Sequence, residues 1–574
     1  MTGQREQARS IRRRRLDIFA IIGAVLTTTL ALLIGYPLVT MAVREFFPEG
    51  VFELSAFSAV VADPKFWEAL RNTVILIIIP GALAIIIGGI LAWLSERTDV
   101  GLRRLTTVLP LISLILPPIA LSIGWVFLGD RSVGLLNLAI RWLTGLVGLP
   151  LEVGPIDIYS WLGIGWVYLI SYVPFAYLLI APALRNIDPA LEEASRTSGG
   201  TPFMTLVKVS LPAVLPAIAA AGLMITLVGL AQFSIGRTIG VTARIDVLSV
   251  YLVGLFQDYP PRTAEAAAVG VLVLLAVGTT WVLQERLTRR RGHATISGRA
   301  NTAVRVQLGK ARWLGRVLIV GYFAVSTVLP FLALLLVSLQ PYWQPQIDVT
   351  KFSLQNFIAI QTDPYTWRAL LNSVGLGVLG ATVALVGASL LVVYTTGRSR
   401  RLAGIVAGIA RAPSAVSHIV LGVAFLIAFA GAPTYWGGTL LILVLAYIAI
   451  NMPQAWIAAS SAVDQVGRDM IDSSLMSGAS MVTTFRLVIF PLITRGLLSG
   501  WAFVFVVIVG DLTASAILAS TRTPVVGFVI LDVFDNGTYS KVAALATTIS
   551  IISVSVVLLV QWLARPRFRA IGAS

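Results

Sequence analysis

The amino-acid sequence predicts an all-α, polytopic membrane protein with about twelve transmembrane helices, arranged as two six-helix halves in a parallel repeat. The first observation is composition, since 57% of the residues are hydrophobic and only 12% are charged, with a mean hydropathy of +0.88. The second is a series of apolar stretches long enough to cross a bilayer, which takes about 20 residues in helical form. The third is a sequence motif that occurs twice.

Twelve apolar stretches of spanning length follow one another along the chain, separated by polar segments. The first six lie near residues 18–43, 72–95, 105–128, 160–184, 209–232 and 264–284. The other six lie near residues 314–340, 372–394, 403–430, 436–461, 487–510 and 541–563. We interpret the first stretch as an uncleaved helix, because its apolar part is too long for a typical signal peptide.

Charge indicates the orientation. The formal net charge of +16 comes from basic residues gathered in short runs between the apolar stretches, rather than on a soluble face. Such runs occupy residues 12–15, 286–316 and 565–569. By the positive-inside rule these segments are cytoplasmic, and an even number of crossings places both termini on that side. We expect no nucleic-acid partner.

The repeat relates the two halves. The sequence DPKFWEALRNTV at residues 63–74 returns as DPYTWRALLNSV at residues 363–374, an offset of 300. Further on the offset is 279, as Pro174 recurs as Pro453, Gly199 as Gly478 and Pro212 as Pro491. The first half therefore carries about 21 extra residues, which fall in or near the loop at residues 129–160, external by topology. Both copies have the same orientation, so the axis between them runs along the membrane normal.

The repeat and the charge runs predict five segments. They are a basic cytoplasmic tail at residues 1–17, a first half at 18–285 (core near 67–284), a basic linker at 286–312, a second half at 313–565 (core near 367–563) and a cytoplasmic tail at 566–574.

A polar interruption before the fifth stretch of each half predicts a helical elbow. Asp188-Pro189 begins a short helix as N-cap and first residue, and Gly199 ends it because glycine adopts positive φ. Thr201-Pro202 then starts a second helix at an angle, which enters the membrane near Leu211-Pro212. The second half repeats the spacing of Glu193, Gly199 and Pro212 with Asp472, Gly478 and Pro491. Ordinary helix capping would explain one such element, but not two with matched spacing on one side.

Here the residues resemble a known family. Glu193-Ala194-Ser195, followed by Gly199 and Leu211-Pro212, is similar to the EAA loop of the permease subunits of binding-protein-dependent ABC importers. The second copy departs further from that loop, with Asp472, Ser473 and Ser474 before Gly478, and Phe490 before Pro491. As a fused, two-half permease the chain most resembles the ferric-iron transport group, whose relatives handle thiamine, polyamines or aminophosphonates.

The resemblance implies a function and partners. The two elbows would be coupling helices, each docking on one of two copies of an ABC ATPase subunit on the cytoplasmic side. An extracytoplasmic binding protein would deliver the substrate, ferric iron, and this chain would move it inward across a bacterial inner membrane. The sequence has no GxxxxGK[ST] phosphate loop, so ATP would bind the partner subunit and this chain would need no cofactor. The alternatives are an importer for a relative's substrate and, in a different class, an ion-coupled secondary transporter.

Candidate residues inside the membrane are few. Gln232 and Asp511 are equivalent at the 279-residue offset, each near the end of the fifth stretch of its half. We expect them to line the translocation path, the alternative being a satisfied contact between helices. Cysteine is absent, and His293 and His418 lie apart from each other, so no metal site is expected. The sequence has neither GxSxG nor HExxH, and we expect no enzymatic activity.

Overall fold

The structure is a computed structural model of the 574-residue chain that describes residues 18–47, 50–101, 103–289, 306–396, 398–466 and 468–564. Throughout these ranges the ordered elements are helices, and the only pairings of β type are two isolated bridges. The predicted all-α fold is therefore confirmed. The predicted tails, with the basic residues 12–15 and 565–569, and most of the linker, with His293, lie outside the described residues.

The first half contains eleven principal helices. In chain order they are Ile18–Phe46, Ser55–Ala62, Pro64–Arg97, Arg103–Ile112, Pro118–Gly129, Leu135–Leu146, Trp161–Arg185, Pro189–Thr197, Leu211–Ala231, Leu248–Gln257 and Thr263–Arg289. Short helical pieces at Pro202–Thr205 and Val241–Ala243 complete the half.

The second half follows the same plan. Its helices are Arg312–Phe323, Leu329–Ser338, Gln355–Thr362, Pro364–Thr395, Arg400–Arg411, His418–Phe429, Leu440–Asp464, Arg468–Met476, Met481–Thr484, Phe490–Val509, Thr513–Leu518, Val526–Asp535 and Tyr539–Ala564.

The spans agree with the sequence prediction. Among the described residues, nine helices are long and apolar enough to cross a membrane, and four bent helix pairs qualify as broken spans. Each of the twelve predicted stretches coincides with one of these candidates. One further bent pair, Gly236–Ala243 and Leu248–Gln257, lies between the fifth and sixth stretches, and its two helices meet at 86°.

The third span of each half is sharply broken. Val108–Ile115 and Pro118–Gly129 meet at 95°, and Arg400–Ala415 and His418–Phe429 meet at 100°. In the first half Pro117 and Pro118 cause the break, because proline disfavours helical backbone at the residue before it and takes the first position of a new helix. The second half has Ser417 and His418 at these positions. The same geometry therefore persists without the prolines.

The repeated motif has one structural role in both halves. Asp63 caps Pro64–Arg97 by accepting from the backbone N–H of Lys65 at 3.0 Å, and Asp363 caps Pro364–Thr395 by accepting from Tyr365 at 3.1 Å. The same carboxylates also pair with basic residues at the start of the last span of each half, or directly before it. Arg262 lies 3.4 Å from Asp63, and its counterpart at the 279-residue offset, Lys541, lies 2.8 Å from Asp363.

The first helix of each half packs on the other half. Ile18–Phe46 leans on the second half, where Arg44 Nη1 donates to the carbonyl of Ile427 at 2.8 Å and the rings of Tyr36 and Phe429 lie 5.6 Å apart. In return, Arg316 Nε donates to the carbonyl of Val100 at 2.7 Å. Each half therefore packs its first helix against the other half.

Candidate functional site

The first elbow (residues 188–210) has the predicted geometry. The side chain of Asp188 caps Pro189–Thr197 by accepting from the N–H of Ala190 at 3.0 Å. Gly199 ends this helix with φ of +84°, a conformation that a residue with a Cβ rarely adopts. Thr201 Oγ1 then accepts from the N–H of Met204 at 3.2 Å and caps the helix that rises into the bundle.

The second elbow (residues 468–489) repeats these features. Its helix Arg468–Met476 is followed by Gly478 with φ of +87°. Ser480, the counterpart of Thr201, accepts from the N–H of Thr483 at 3.2 Å. Both elbows therefore share a left-handed glycine between two helices, the second of which is capped by a hydroxyl side chain.

A hydroxyl pair fastens each elbow to the helix that follows it. The hydroxyls of Ser195 and Thr205 hydrogen-bond at 2.9 Å, and those of Ser474 and Thr484 do so at 3.0 Å. Thr205 and Thr484 are buried. The serines stand where the EAA loop has its second alanine, so this chain replaces a methyl group by a hydrogen bond in both copies. The angle of each elbow is thereby fixed.

A buried ion pair anchors only the first elbow. Arg97 Nη1 lies 3.4 Å from Glu192 Oε2, and both residues are buried. Arg97 Nη2 donates to the carbonyl of Ile187 at 3.0 Å, and Glu192 Oε1 accepts from the hydroxyl of Ser210 at 2.8 Å. The pair thus joins the end of Pro64–Arg97 to both arms of the elbow. At the equivalent positions the second half has Gly397 and Ile471, which cannot form it.

The predicted coupling residues divide into exposed and partly covered ones. Glu193, Ala194, Gly199, Asp472, Ser473 and Gly478 are exposed, whereas Ser195 and Ser474 are partly buried by their hydroxyl pairs. Large apolar side chains are also exposed in both elbows, namely Leu191, Phe203 and Met204 in the first and Met470, Met476 and Val482 in the second. Each elbow therefore presents a carboxylate beside an apolar surface, and Met476 is 88% exposed.

The two elbows lie at the same end of the helical bundle. The first helix, Ile18–Phe46, begins beside the second elbow, where the rings of Phe19 and Phe485 lie 6.0 Å apart. After two crossings, Pro64–Arg97 ends beside the first elbow at the Arg97–Glu192 pair. An even number of crossings separates the two points, so both elbows are accessible from the same side of the membrane.

A cavity of about 350 Å³ lies between the halves and brings Gln232 and Asp511 to one space. Residues of both halves line it at equivalent positions. Pairs at the 300-residue offset are Pro117 with Ser417 and Pro118 with His418, and pairs at the 279-residue offset are Phe175 with Gln454, Gln232 with Asp511 and Ser234 with Thr513. The cavity therefore lies on the axis that relates the halves.

The two walls of this cavity differ in polarity. Where the first half has Pro117, Pro118 and Phe175, the second half has Ser417, His418 and Gln454. Within the described part of the chain, Ser417 Oγ and Gln454 Oε1 have no hydrogen-bond partner. Buried polar groups are normally paired, so these atoms are available to a passing solute.

Asp511 also has a structural role. Its Oδ2 accepts from the N–H groups of Ala514 and Ser515 at 3.0 and 3.1 Å, which caps the short helix Thr513–Leu518. Gln232 ends Leu211–Ala231, and its carbonyl accepts from the hydroxyl of Ser249 at 2.7 Å. Asp511 therefore lines the cavity and also caps a helix, so it agrees both with a place on the path and with a structural contact.

Metal binding finds no support in the geometry. Among the described residues, no group of three or more histidine or carboxylate side chains could hold an ion. Glu192, Ser417 and Gln454 were not predicted from the sequence as site residues. The first has its partner in a distant helix, and the other two are single polar residues inside apolar runs.

Comparison with known proteins gives a consistent result. The family described as binding-protein-dependent transport system inner membrane component matches the chain twice, at residues 84–293 and 378–569. The ferric transport system permease protein FbpB of Actinobacillus pleuropneumoniae is 22% identical over 95% of this chain and 78% of its own length. The sulfate transport system permease protein CysT of Escherichia coli is 26% identical over 40% of this chain and 81% of its own length.

Among solved structures, about half of the chain can be aligned with a bacterial ABC transporter. A bacterial alginate ABC transporter, in complex with a periplasmic protein carrying an alginate pentasaccharide, is 18% identical with a TM-score of 0.38, over 48% of this chain and 95% of that one.

Proposed function

The chain belongs to the family of binding-protein-dependent transport system inner membrane components, and from this premise we propose that it imports ferric iron as the two-half permease of an ABC transporter. An external binding protein delivers the ion. Two copies of an ATPase subunit bind ATP and dock on the two elbows. Since both halves lie in one chain, one copy of the chain completes the complex, with both termini in the cytoplasm.

The observation that carries this proposal is that the elbow and the cavity lie at opposite ends of the same helix. Phe203–Ala231 is an apolar helix of 29 residues, or about 43 Å at the helical rise. It begins in the first elbow and ends at Gln232 in the cavity wall. In the second half two helical pieces, Met481–Thr494 and Gly496–Val509, lead from the elbow to Asp511 with a bend of 68° between them. A displacement of the elbows therefore reaches the cavity through helical backbone.

The anchors of the elbow determine how that displacement spreads. The Ser195–Thr205 hydroxyl pair prevents the elbow from bending independently of the fifth span. The Arg97–Glu192 ion pair makes Pro64–Arg97 move with the first elbow. Closure of the ATPase subunits would then move each half as a unit and open the cavity to alternate sides of the membrane. The ATPase subunits can drive this change in access only if they bind the elbows more tightly in one conformation of the permease than in the other.

The charge of the cavity supports a cationic substrate. Asp511 is the only charged side chain among the described residues that line it, and neither lysine nor arginine is present. A carboxylate with neutral hydroxyl, amide and imidazole neighbours favours a cation over an anion such as sulfate. Ferric transport permeases among the relatives agree with this polarity, and the thiamine and polyamine alternatives are cations too.

The energy source tests the function. In cells that express the chain with its ATPase and binding protein, we expect uptake of radioactive ferric iron to continue when ionophores collapse the proton and sodium gradients, and to stop when ATP is depleted. Loss of uptake on collapse of the gradients alone would identify an ion-coupled transporter. Competition by excess thiamine or spermidine would reassign the substrate without removing the importer.

The elbow residues test the coupling. We expect Glu193→Lys to lower iron uptake about tenfold or more at unchanged membrane content, because a carboxylate that faces the partner is replaced by a cation. Asp472→Lys in the second elbow should have a smaller effect if apolar contacts of Met476 dominate there. Glu53→Lys, exposed beyond the other end of the first helix, is the matched control. Normal uptake by both elbow variants would contradict the assignment.

A further inference from the structure

The first half contains a segment that the second half lacks and that the transport mechanism does not use. It is the insertion between Pro118–Gly129 and Trp161–Arg185, which includes the helix Leu135–Leu146. Its C-terminal end continues as WLTGLVGLPL at residues 142–151, a run without a charged residue. We call residues 142–151 the insertion tip.

The insertion tip exposes a continuous apolar surface. Five of its large side chains are more than half exposed, namely Trp142, Leu143, Leu146, Val147 and Leu149. The N-terminal part of the same helix is different, because Leu135 and Leu136 pack against the core and Asn137 is fully buried. The helix is thus held at one end and presents apolar side chains at the other.

The exposure of the tip belongs to a built structure. Asn137 Nδ2 donates to the carbonyls of Asp130 and Ile156 at 2.7 and 2.8 Å, and its Oδ1 accepts from the N–H of Ile156 at 3.0 Å. Arg141 Nε donates to the carbonyl of Leu151 at 3.0 Å and closes the hairpin. Gly148 makes the turn with φ of +78°. These bonds fix the direction in which the tip points.

We propose that the insertion tip lies in the membrane interface, with its apolar side chains among the lipids at the boundary between headgroups and acyl chains. Soluble surfaces rarely expose a patch of this kind, and a helix with one apolar face binds at this depth of a bilayer. Residues 152–160 connect the tip to the span Trp161–Arg185, and the first two side chains of that span, Trp161 and Leu162, are apolar and exposed. Tryptophan is enriched at that level.

The alternative occupant is a protein, such as the external binding protein. That partner must leave after each delivery, and an interface that forms reversibly in water carries a polar rim with hydrogen bonds. The tip offers no charged side chain for such a rim. Its exposed side chains are instead apolar, like Trp161 and Leu162 at the start of the span that follows in the chain, so lipid is the occupant that the structure favours. Only the first half has this lipid contact, because the second half has no equivalent insertion.

The absence of cysteine from the sequence makes a direct test possible. Single variants Leu146→Cys and Leu149→Cys of the full chain would carry a nitroxide label in lipid nanodiscs. We expect each label to collide with dissolved oxygen several times more often than with a water-soluble nickel chelate. Ser132→Cys, at the polar base of the insertion, is the aqueous control, and Ile79→Cys, exposed on a span, is the lipid control.

The two tip labels must agree for the proposal to stand. If both are as accessible to the nickel chelate as the label at Ser132→Cys, the tip lies in water and a protein partner takes the place of lipid. Elution of each variant as a single species in size exclusion, with the yield of the parent, shows that the chain is folded. The result does not depend on substrate or ATPase, so it stands or falls separately from the proposed function.

Discussion

Two adjacent carboxylates illustrate how a single position determines a role. The sequence places Glu192 and Glu193 in the first turn of a short helix, where either would interact with the positive end of the helix dipole. In the structure Glu192 is buried against Arg97 and Ser210, and Glu193 is exposed. Their difference depends on a partner in another helix, so sequence spacing alone could not assign it.

This difference predicts separable effects of the two residues. Glu192→Ala leaves the buried Arg97 guanidinium without its carboxylate partner, and breaking such a pair costs about 3 kcal/mol or more. We expect a lower thermal midpoint in detergent. Glu193→Ala should leave the midpoint unchanged and reduce uptake instead. Equal midpoints for both variants, measured by fluorescence-detected thermal unfolding, would show that the ion pair contributes nothing.

Other residues of the site were predictable to different degrees. Gln232 and Asp511 could be found because the repeat matches them to each other, and the structure places both in one cavity. The first half has prolines and a phenylalanine at the positions equivalent to Ser417, His418 and Gln454. The repeat therefore does not mark these three polar residues. These residues come together in the cavity wall where the helices Arg400–Ala415 and His418–Phe429 meet at an angle. The periodicity of the sequence does not show that angle.

At the scale of elements, the elbows were predictable because glycine, proline and capping residues have strong local preferences. The π-helical segments Leu206–Ser210 and Phe485–Ile489 were not predicted. They have a local cause, because Pro212 and Pro491 lack an N–H and their rings clash with the carbonyl four residues earlier. That carbonyl lies in the π-helical segment in each case, and the widened turn accommodates the ring.

The cap of the second repeated helix predicts a pH dependence. Hydrogen bonds from Lys541 and from the Thr366 hydroxyl lower the pKa of Asp363 to about 2. A carboxyl with a folded pKa below its unfolded value of about 3.9 stabilises the fold fully above pH 4. The contribution disappears as the pH falls towards 2.

Asp363→Asn tests this contribution and retains an oxygen that can cap the helix. The carboxylate is partly exposed, so we expect a loss of about 1 kcal/mol or less at pH 7. The difference in thermal midpoint from the parent should narrow between pH 4 and pH 2. Asp348→Asn, in an exposed pair with Lys351, should match the parent at neutral pH. A constant difference at all pH values would mean that the cap, rather than the charge, is responsible.

For the whole molecule, the repeat predicted two parallel halves, and the double match of the family confirms them. The exchange of first helices was not predicted. Apolar periodicity shows that a helix is buried or faces lipid, but it carries no information on which half receives it. Ile18–Phe46 contacts Pro364–Thr395 and His418–Phe429 through ring and backbone contacts that only the three-dimensional arrangement brings together.

One ion pair connects the halves next to the cavity. Arg237 Nη2 lies 2.5 Å from Asp535 Oδ2, and Arg237 follows the cavity-lining Ser234 by about one helical turn. We expect Arg237→Asp and Asp535→Arg each to slow uptake about two- to fivefold, since like charges then face each other across the halves. The double variant should restore most of the rate. Additive losses in the double variant would show that the residues act independently.

The exchanged first helix also has a consequence for biosynthesis. Ile18–Phe46 leaves the ribosome before the other helices of the first half, yet Tyr394, which packs on Gly23, and Phe429 are translated only after the entire first half. The nascent helix must therefore wait in lipid without its final neighbours while most of the polypeptide is made. Maturation finishes late, and a message truncated early in the second half, before Tyr394 and Phe429, yields a product in which Ile18–Phe46 never docks.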